Sequence, residues 1–507
     1  MKYYLILLIA LEAIATISVK AQEHSFVWCF GDSSGIDFNG TNPQPFTTSL
    51  DSRGSCVSVA DSNGQLLFYA NTRASMPGNT TLLWNKSNQL MQNGDSIVGE
   101  GWYGELLIIP FPNSNSTYYL FSIGSTGSSE FGIFYSLIDL TIDSGLGGVI
   151  LKNFQLDSFP MVDCSIAIKH GNGRDWWVIF KRSSFPFGGT NNEWHQCLVT
   201  PMGVSNVTVQ NIGIPFDGNA AKLCVNSLGN KIAFVHYAGL VETYDFDRCS
   251  GIISNQLTIE YPSSQPPYLP CNECAFSPNS NILYVTTNDT VGSLLQYNLL
   301  DTNPALTKDT LWFINFPQYS VGAVRRGPDN KLYVSTAYYN GFWNYPYPDS
   351  VYNMYNMNLG VINYPDSLDT ACDFQPYSFY LGGKRTYWGL PNNPDYDLGR
   401  DSGSVCDTIQ WAGINEQEAT GKGQLFLTYV SAWDKLFINA QHLKGTTYML
   451  TVTDMMGRVV YGTSGGGRVT GGGYFTMDLD CSRFAQGMYI VTVTTYKEQL
   501  SKKFVKE

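Results

Sequence analysis

Five times between Phe26 and Gly399 the chain repeats one local pattern: an apolar strand, a turn rich in Asp, Asn, Ser and Gly, then a second, more strongly apolar strand. The copies run over residues 56–69, 166–180, 223–235, 274–286 and 323–335, with a degenerate copy at 106–122. In the first copy Asn63-Gly64 separates Cys56-Val57-Ser58-Val59 from Leu66-Leu67-Phe68-Tyr69. That dipeptide is the strongest short hairpin signal, because both turn residues accept positive φ and the resulting twist matches the strands. Most copies follow one another at roughly 50–60 residues, which suits four-stranded units with loop insertions. Such a sheet cannot bury both faces alone, and radial stacking covers them while shortening the exposed edges. The pattern predicts an all-β chain whose body is a six- or seven-bladed β-propeller. A row of independent β-sandwiches would carry Pro/Ser-rich linkers between units, and none occurs before Asp401.

Composition agrees with strands and turns. Only 14% of residues are charged and 14% are aromatic, while Gly, Asn, Ser, Thr and Tyr are abundant. A net charge of −12 without a basic cluster leaves nothing to neutralise a phosphate backbone, which excludes nucleic acid and disfavours an anionic membrane surface. Residues 1–21 read as a cleavable signal peptide: Lys2, an apolar run to Ile17, and Val19-Lys20-Ala21 before the cut. No other segment is long and apolar enough to span a bilayer as a helix.

Beyond a propeller body at 22–400, the apolar periodicity lapses over 401–423, which reads as a linker. Residues 424–507 resume short alternating strands, and after Gly487 the residues Tyr489, Val491 and Val493 share one face, as a small Ig-like β-sandwich requires.

Two resemblances attach to these parts. Trp28-Cys29-Phe30-Gly31-Asp32, Leu82-Leu83-Trp84-Asn85, Leu359-Gly360-Val361-Ile362-Asn363 and Gly389-Leu390-Pro391-Asn392 resemble an exported Bacteroidetes family with a WD40-like propeller body, over roughly residues 26–400. The resemblance implies architecture and place, and no reaction. Leu450-Thr451-Val452-Thr453-Asp454, Phe484-Ala485-Gln486-Gly487-Met488-Tyr489 and the closing Lys502-Lys503-Phe504-Val505-Lys506 resemble the type A sorting domain of the type IX secretion system. Thr428-Tyr429-Val430-Ser431 stands where that family usually opens on a Pro-Asn-Pro turn. The likeness implies the type IX secretion machinery as partner, with Gly487, Tyr489, Lys502 and Lys503 carrying the signal, and a location outside the cell or on the outer-membrane surface.

Eleven cysteines in an exported chain predict structural disulfides joining most of them, with Cys271 and Cys274 bonded elsewhere or to each other. A zinc reading of Cys271-Asn272-Glu273-Cys274 lacks a second such pair, so no metal is expected. His170, His195 and His236 differ in their offset within the repeats, which argues against a shared metal site. Asp163, Glu193, Glu242 and Glu273 are the carboxylates that could meet over a channel as a glycosidase pair, although spacing selects no two of them. No GxSxG elbow, HExxH, P-loop or dinucleotide fingerprint occurs, and no cofactor is implied. Residues 337–355 hold the most distinctive cluster, with Tyr339, Trp343, Tyr345 and Tyr347 interleaved with Asn, Gly, Pro and Asp. Rings offer contact area at low entropic cost and amides offer hydrogen bonds, so this segment is the candidate site for an extracellular glycan or protein. The chain therefore reads as a non-catalytic binding or adhesion module; the alternative is an extracellular propeller enzyme acting on polysaccharide or peptide.

Overall fold

The computed structural model describes residues 24–73, 79–99, 104–124, 131–262, 270–287, 291–314, 319–338, 351–407, 423–430, 434–441, 443–445, 447–455, 457–463, 467–468 and 475–506. The expected signal peptide and the four rings Tyr339, Trp343, Tyr345 and Tyr347 lie outside these residues.

Among the described residues, seven antiparallel sheets follow one another between Val27 and Tyr380, each built from consecutive strands. The first strands of the seven sheets are Val27–Phe30, Cys56–Ala60, Leu107–Pro110, Met161–Lys169, Ala221–Val225, Cys271–Phe276 and Tyr319–Arg326. From the third sheet to the seventh these first strands contact one another in sequence, which makes them the innermost strands around a common axis. The five copies and the degenerate one are thus the inner hairpins of six blades, and Val27–Asp51 adds the seventh.

The strand next to the axis and its partner are covered on both faces by the neighbouring sheets, so they read as unbroken apolar runs rather than alternating ones. Thr117–Gly124 and Ile282–Thr287 are buried along their whole length. The outermost strands Thr208–Phe216 and Phe374–Tyr380 are largely exposed. Hairpins form where the sequence placed them: Cys56–Ala60 pairs with Leu66–Asn71 across the Asn63-Gly64 turn. Gly64 has φ +75°, a conformation that strains any L side chain, and a Cβ there would also displace the Asn39 carboxamide.

The ring closes by packing. Trp28 and Phe38 of the first sheet lie edge-on to Tyr333 of the seventh, at 5.6 Å each. Between the first and second sheets the Ser58 hydroxyl donates to the Val27 carbonyl at 2.7 Å. Farther round, Trp194 of the fourth sheet packs on Tyr244 of the fifth at 5.0 Å, and the Thr286 hydroxyl of the sixth donates to Gly322 of the seventh.

Two further sheets make the C-terminal domain. One contains Gln424–Val430, Lys435–Gln441 and Phe475–Asp480; the other is ordered Val459–Gly462, Thr447–Asp454, Gly487–Thr495, Gln499–Lys506. Leu436, Ile438, Leu450, Val452, Val491 and Val493 fill the space between them.

The cysteines differ from expectation. One disulfide, Cys249–Cys406, is closed, and the nine remaining cysteines are buried and outside any disulfide. Most occupy the strands of the ring as small apolar core residues. Cys271 and Cys274 lie on a single extended strand. Three steps of about 3.3 Å separate them, beyond the reach of a disulfide.

Candidate functional site

The axis of the propeller is filled by the chain itself. After the last sheet, residues 385–398 run along the inner strands and tie them together. The Ala323 amide donates to the Trp388 carbonyl at 2.7 Å, and the amides of Trp388 and Gly389 donate to Arg53. A Cβ on Gly389 would stand 1.8 Å from the Gly54 carbonyl, so only glycine permits this approach. Asn392 is the hub. Its amide donates to Cys56 at 2.9 Å. Its side-chain Nδ2 lies 3.3, 3.0 and 2.9 Å from the carbonyls of Gly104, Leu106 and Ser165, and its Oδ1 accepts from Arg325 Nη2 at 3.0 Å. One side chain and its backbone amide thereby join four of the seven sheets. Farther along, the Tyr396 hydroxyl donates to Ile108 and the Asp401 amide to Gly171. The Cys249–Cys406 disulfide then fastens the segment to the fifth sheet, so residues 401–407, expected to begin a linker, are held against the propeller.

Charged groups surround Asn392. Glu273 lies 3.3 Å from Lys222 Nζ and 3.6 Å from Arg325 Nη2, with the Lys222 and Glu273 side chains nearly inaccessible and Arg325 14% exposed. Burial alone would lower the Arg325 pKa, but the Glu273 carboxylate overrides it and raises the value. Asp163 also reaches the hub, where it accepts from Asn219 Nδ2 at 3.0 Å. Of the four candidate carboxylates, Asp163 and Glu273 come to the axis with Lys222 on the strand between them. The other two do not. Glu193 pairs with Arg182 and His195, and Glu242 accepts from the Tyr244 hydroxyl, Gln256 and the Ile214 amide. Each of these carboxylates is thus committed to partners within the fold.

The three body histidines fall in separate places. His170 Nε2 faces the Cys249 carbonyl, His195 bridges Asp157 and Glu193, and His236 Nδ1 accepts from the Ala238 amide. Among the described residues no group of three His, Cys, Asp or Glu is arranged to hold a metal ion.

One end of the axis opens as a cavity of about 290 Å³, walled by the ends of the inner strands and by residues 391–398. Polar groups at its wall include Lys169, Asn226, Arg326, Asn330 and Asn393. The opposite end carries the base of the aromatic segment. Thr386 donates to the Asn356 carbonyl at 2.7 Å. Arg385 Nε bonds Asp32 at 2.8 Å and Nη1 bonds the Val351 carbonyl at 3.1 Å, while its guanidinium lies 4.2 Å from the Tyr352 ring centre. Tyr352 is 50% exposed. The clamp joins the aromatic segment to the axial one, a link that sequence spacing gave no means to see.

A second buried charge lies between the fourth and fifth sheets. Lys181 on Trp176–Arg182 is fully buried, and its ammonium faces the rings of Trp194, Phe216 and Phe234 at 4.6, 5.0 and 5.1 Å. Burial lowers its pKa to about 7, against the opposing pull of Glu242 and Glu193.

In the C-terminal domain the expected signal residues occupy two neighbouring strands of one sheet, Lys502 and Lys503 on its edge strand and Gly487 and Tyr489 on the strand inside it. Tyr489 pairs with Phe504 across the ladder and stacks on it at 5.3 Å, and its hydroxyl donates to Ala485 at 2.6 Å. Lys502 lies over the Phe426 ring at 5.4 Å, and Lys503 is exposed opposite Ile490, while Gly487 pairs with Lys506. Lys506, the last residue of that closing run, is buried and bonds both Asp434, at 2.6 Å, and the Cys481 carbonyl. The Lys506 ammonium, with the Tyr429 hydroxyl, holds Asp434 below the usual carboxylate range.

A seven-bladed ring followed by a two-sheet domain with a basic closing strand defines an exported β-propeller with a C-terminal sorting domain. Residues 432–507 match the family described as the secretion system C-terminal sorting domain, which marks the chain for secretion or cell-surface display and for contact with the type IX secretion machinery. No curated protein matches the sequence. Among solved structures the chain is similar to a candidate 6-phosphogluconolactonase from Bacteroides fragilis, with 12% identity over 75% of this chain and 99% of that one and a TM-score of 0.42. It is also similar to the periplasmic gluconolactonase of Pseudomonas aeruginosa (11% identity, 82% of this chain and 99% of that one, TM-score 0.35). A third is the Swd1 β-propeller domain of Myceliophteria thermophila (11% identity, 62% of this chain and 93% of that one, TM-score 0.35). No helix among the described residues is long and apolar enough to cross a membrane.

Proposed function

We propose that the protein is a non-catalytic binding module displayed outside the cell, which holds an extracellular glycan or protein through the aromatic segment at residues 337–355. The observation that carries this reading is the occupied axis: Asn392 and its neighbours fill the centre of the ring, and the hub carboxylate Glu273 is neutralised by Lys222 and Arg325. A propeller whose axis is closed in this way offers its rims for contact. The clamp of Arg385 on Val351 and Tyr352 supports one rim in particular, because it fixes the base of the segment that carries Tyr339, Trp343, Tyr345 and Tyr347. Exposed loop rings do little for the core, while aromatic anchors in an interface commonly cost more than about 2 kcal/mol on truncation, roughly thirtyfold in affinity. Trp343→Ala with Tyr345→Ala is therefore expected to abolish the signal on a glycan array or in a pull-down from extracellular matrix material, with the melting temperature nearly unchanged. A large fall in melting temperature with unaltered binding, or turnover of a polysaccharide by the purified protein, would refute the reading.

A further inference from the structure

Two of the free cysteines touch. Cys224 on the innermost strand of the fifth sheet and Cys274 on that of the sixth have their Sγ atoms 3.1 Å apart, about 1 Å beyond a covalent S–S bond. They are 5% and 0% exposed, and both line the cavity at the mouth of the axis. Their strands are neighbours in the ring, joined in the core by Val235, Leu283 and Val285. The same fifth sheet already carries the closed Cys249–Cys406 disulfide, and the sorting domain addresses the chain to a compartment where thiols are oxidised.

We propose that Cys224 and Cys274 are a second redox site, joined as a disulfide by exchange with an external disulfide-bearing oxidant while the exported chain folds. The step balances as an ordinary exchange. The Cys224 thiolate attacks one sulfur of the oxidant R–S–S–R and expels one thiolate, leaving a mixed disulfide. The Cys274 thiolate then attacks the Cys224 sulfur and expels the second. Two protein thiols are oxidised, the oxidant is reduced to two R–SH, and these take up the two protons released. Burial, with the contact from Cys224, pushes the Cys274 thiol well above its ordinary pKa, so the exchange belongs to the folding chain, before the strands close over the thiol. Once formed, the bond stitches two blades at the hub, two residues from Lys222 and one from Glu273.

The test uses the full-length protein collected from the medium of cells that export it, dissolved in denaturant containing iodoacetamide and digested with trypsin and Glu-C. Cys224 then lies in the peptide 223–231 and Cys274 in the peptide 274–308, each with a single cysteine. The expected product is the two peptides joined, two hydrogens lighter than their sum, and separated by dithiothreitol. In a Cys224→Ser variant, peptide 274–308 is expected with its cysteine alkylated. Recovery of both wild-type peptides alkylated, or of Cys274 joined to a different cysteine, would overturn the proposal.

Discussion

Replacing Lys181 with Met is expected to stabilise the protein. The ammonium lies on three aromatic rings inside the core between the fourth and fifth sheets, and methionine keeps the volume while removing the charge. The folded pKa is lowered to about 7 from 10.5. At pH 7 the unfolded chain therefore binds a proton that the folded one only half holds, a cost of about 4 kcal/mol. For a propeller of about 380 residues, unfolding entropy near the midpoint is of order 0.8 kcal/mol per degree, so the gain corresponds to roughly 5 °C. The sign follows from the depressed lysine. Wild-type stability rises with pH between about 7 and 10.5, because there the unfolded state binds more protons. Lys181→Met loses that rise, and its advantage shrinks towards pH 10.5 and holds constant below pH 7. Thermal melts of both proteins at pH 6, 7.5, 9 and 10.5 measure this. A variant less stable than wild type at neutral pH would show that the ring contacts outweigh the cost of burial, and a difference independent of pH would remove the charge from the account.

Two further perturbations address the axis. Asn392→Leu leaves the carbonyls of Gly104, Leu106 and Ser165 and the Arg325 guanidinium without this partner, a loss expected at about 3–5 kcal/mol and read as a lowered urea midpoint. Cys406→Ser opens a bridge between residues 157 apart; it is expected to cost about 2–5 kcal/mol, and to make the peptide bonds of residues 401–407 accessible to limited proteolysis under conditions where wild type resists.

The sheets were legible because their information is local. Asn63-Gly64, Gly173, Gly229 and the Ser277-to-Asn281 turn each fix a hairpin within about a dozen residues, and the inner hairpin of each of sheets two to seven can be read from such a stretch. The axis was not legible for the opposite reason. Asn392 meets Leu106 and Ser165 across separations of 286 and 227 residues, and residues 385–398 carry neither period 2 nor period 3.6. Lys222, Glu273 and Arg325 look like ordinary polar residues on a strand until the ring closes around them. The cysteines carried a signal that composition obscured. Cys56, Cys224 and Cys274 recur in the first strand of the repeat, and that placement points to neighbours around the axis rather than to a network of loop disulfides.

The way the axial segment leaves the ring has a mechanical consequence. Tension carried along the chain between the propeller and the C-terminal domain enters the ring through residue 407 and meets Cys406 first. The bond to Cys249 passes that load covalently into the fifth sheet, so it does not first peel residues 385–401 from the axis. The ring is thus held like a wheel whose axle is pinned at one end: the pin bears the pull, and the axle only keeps the blades together.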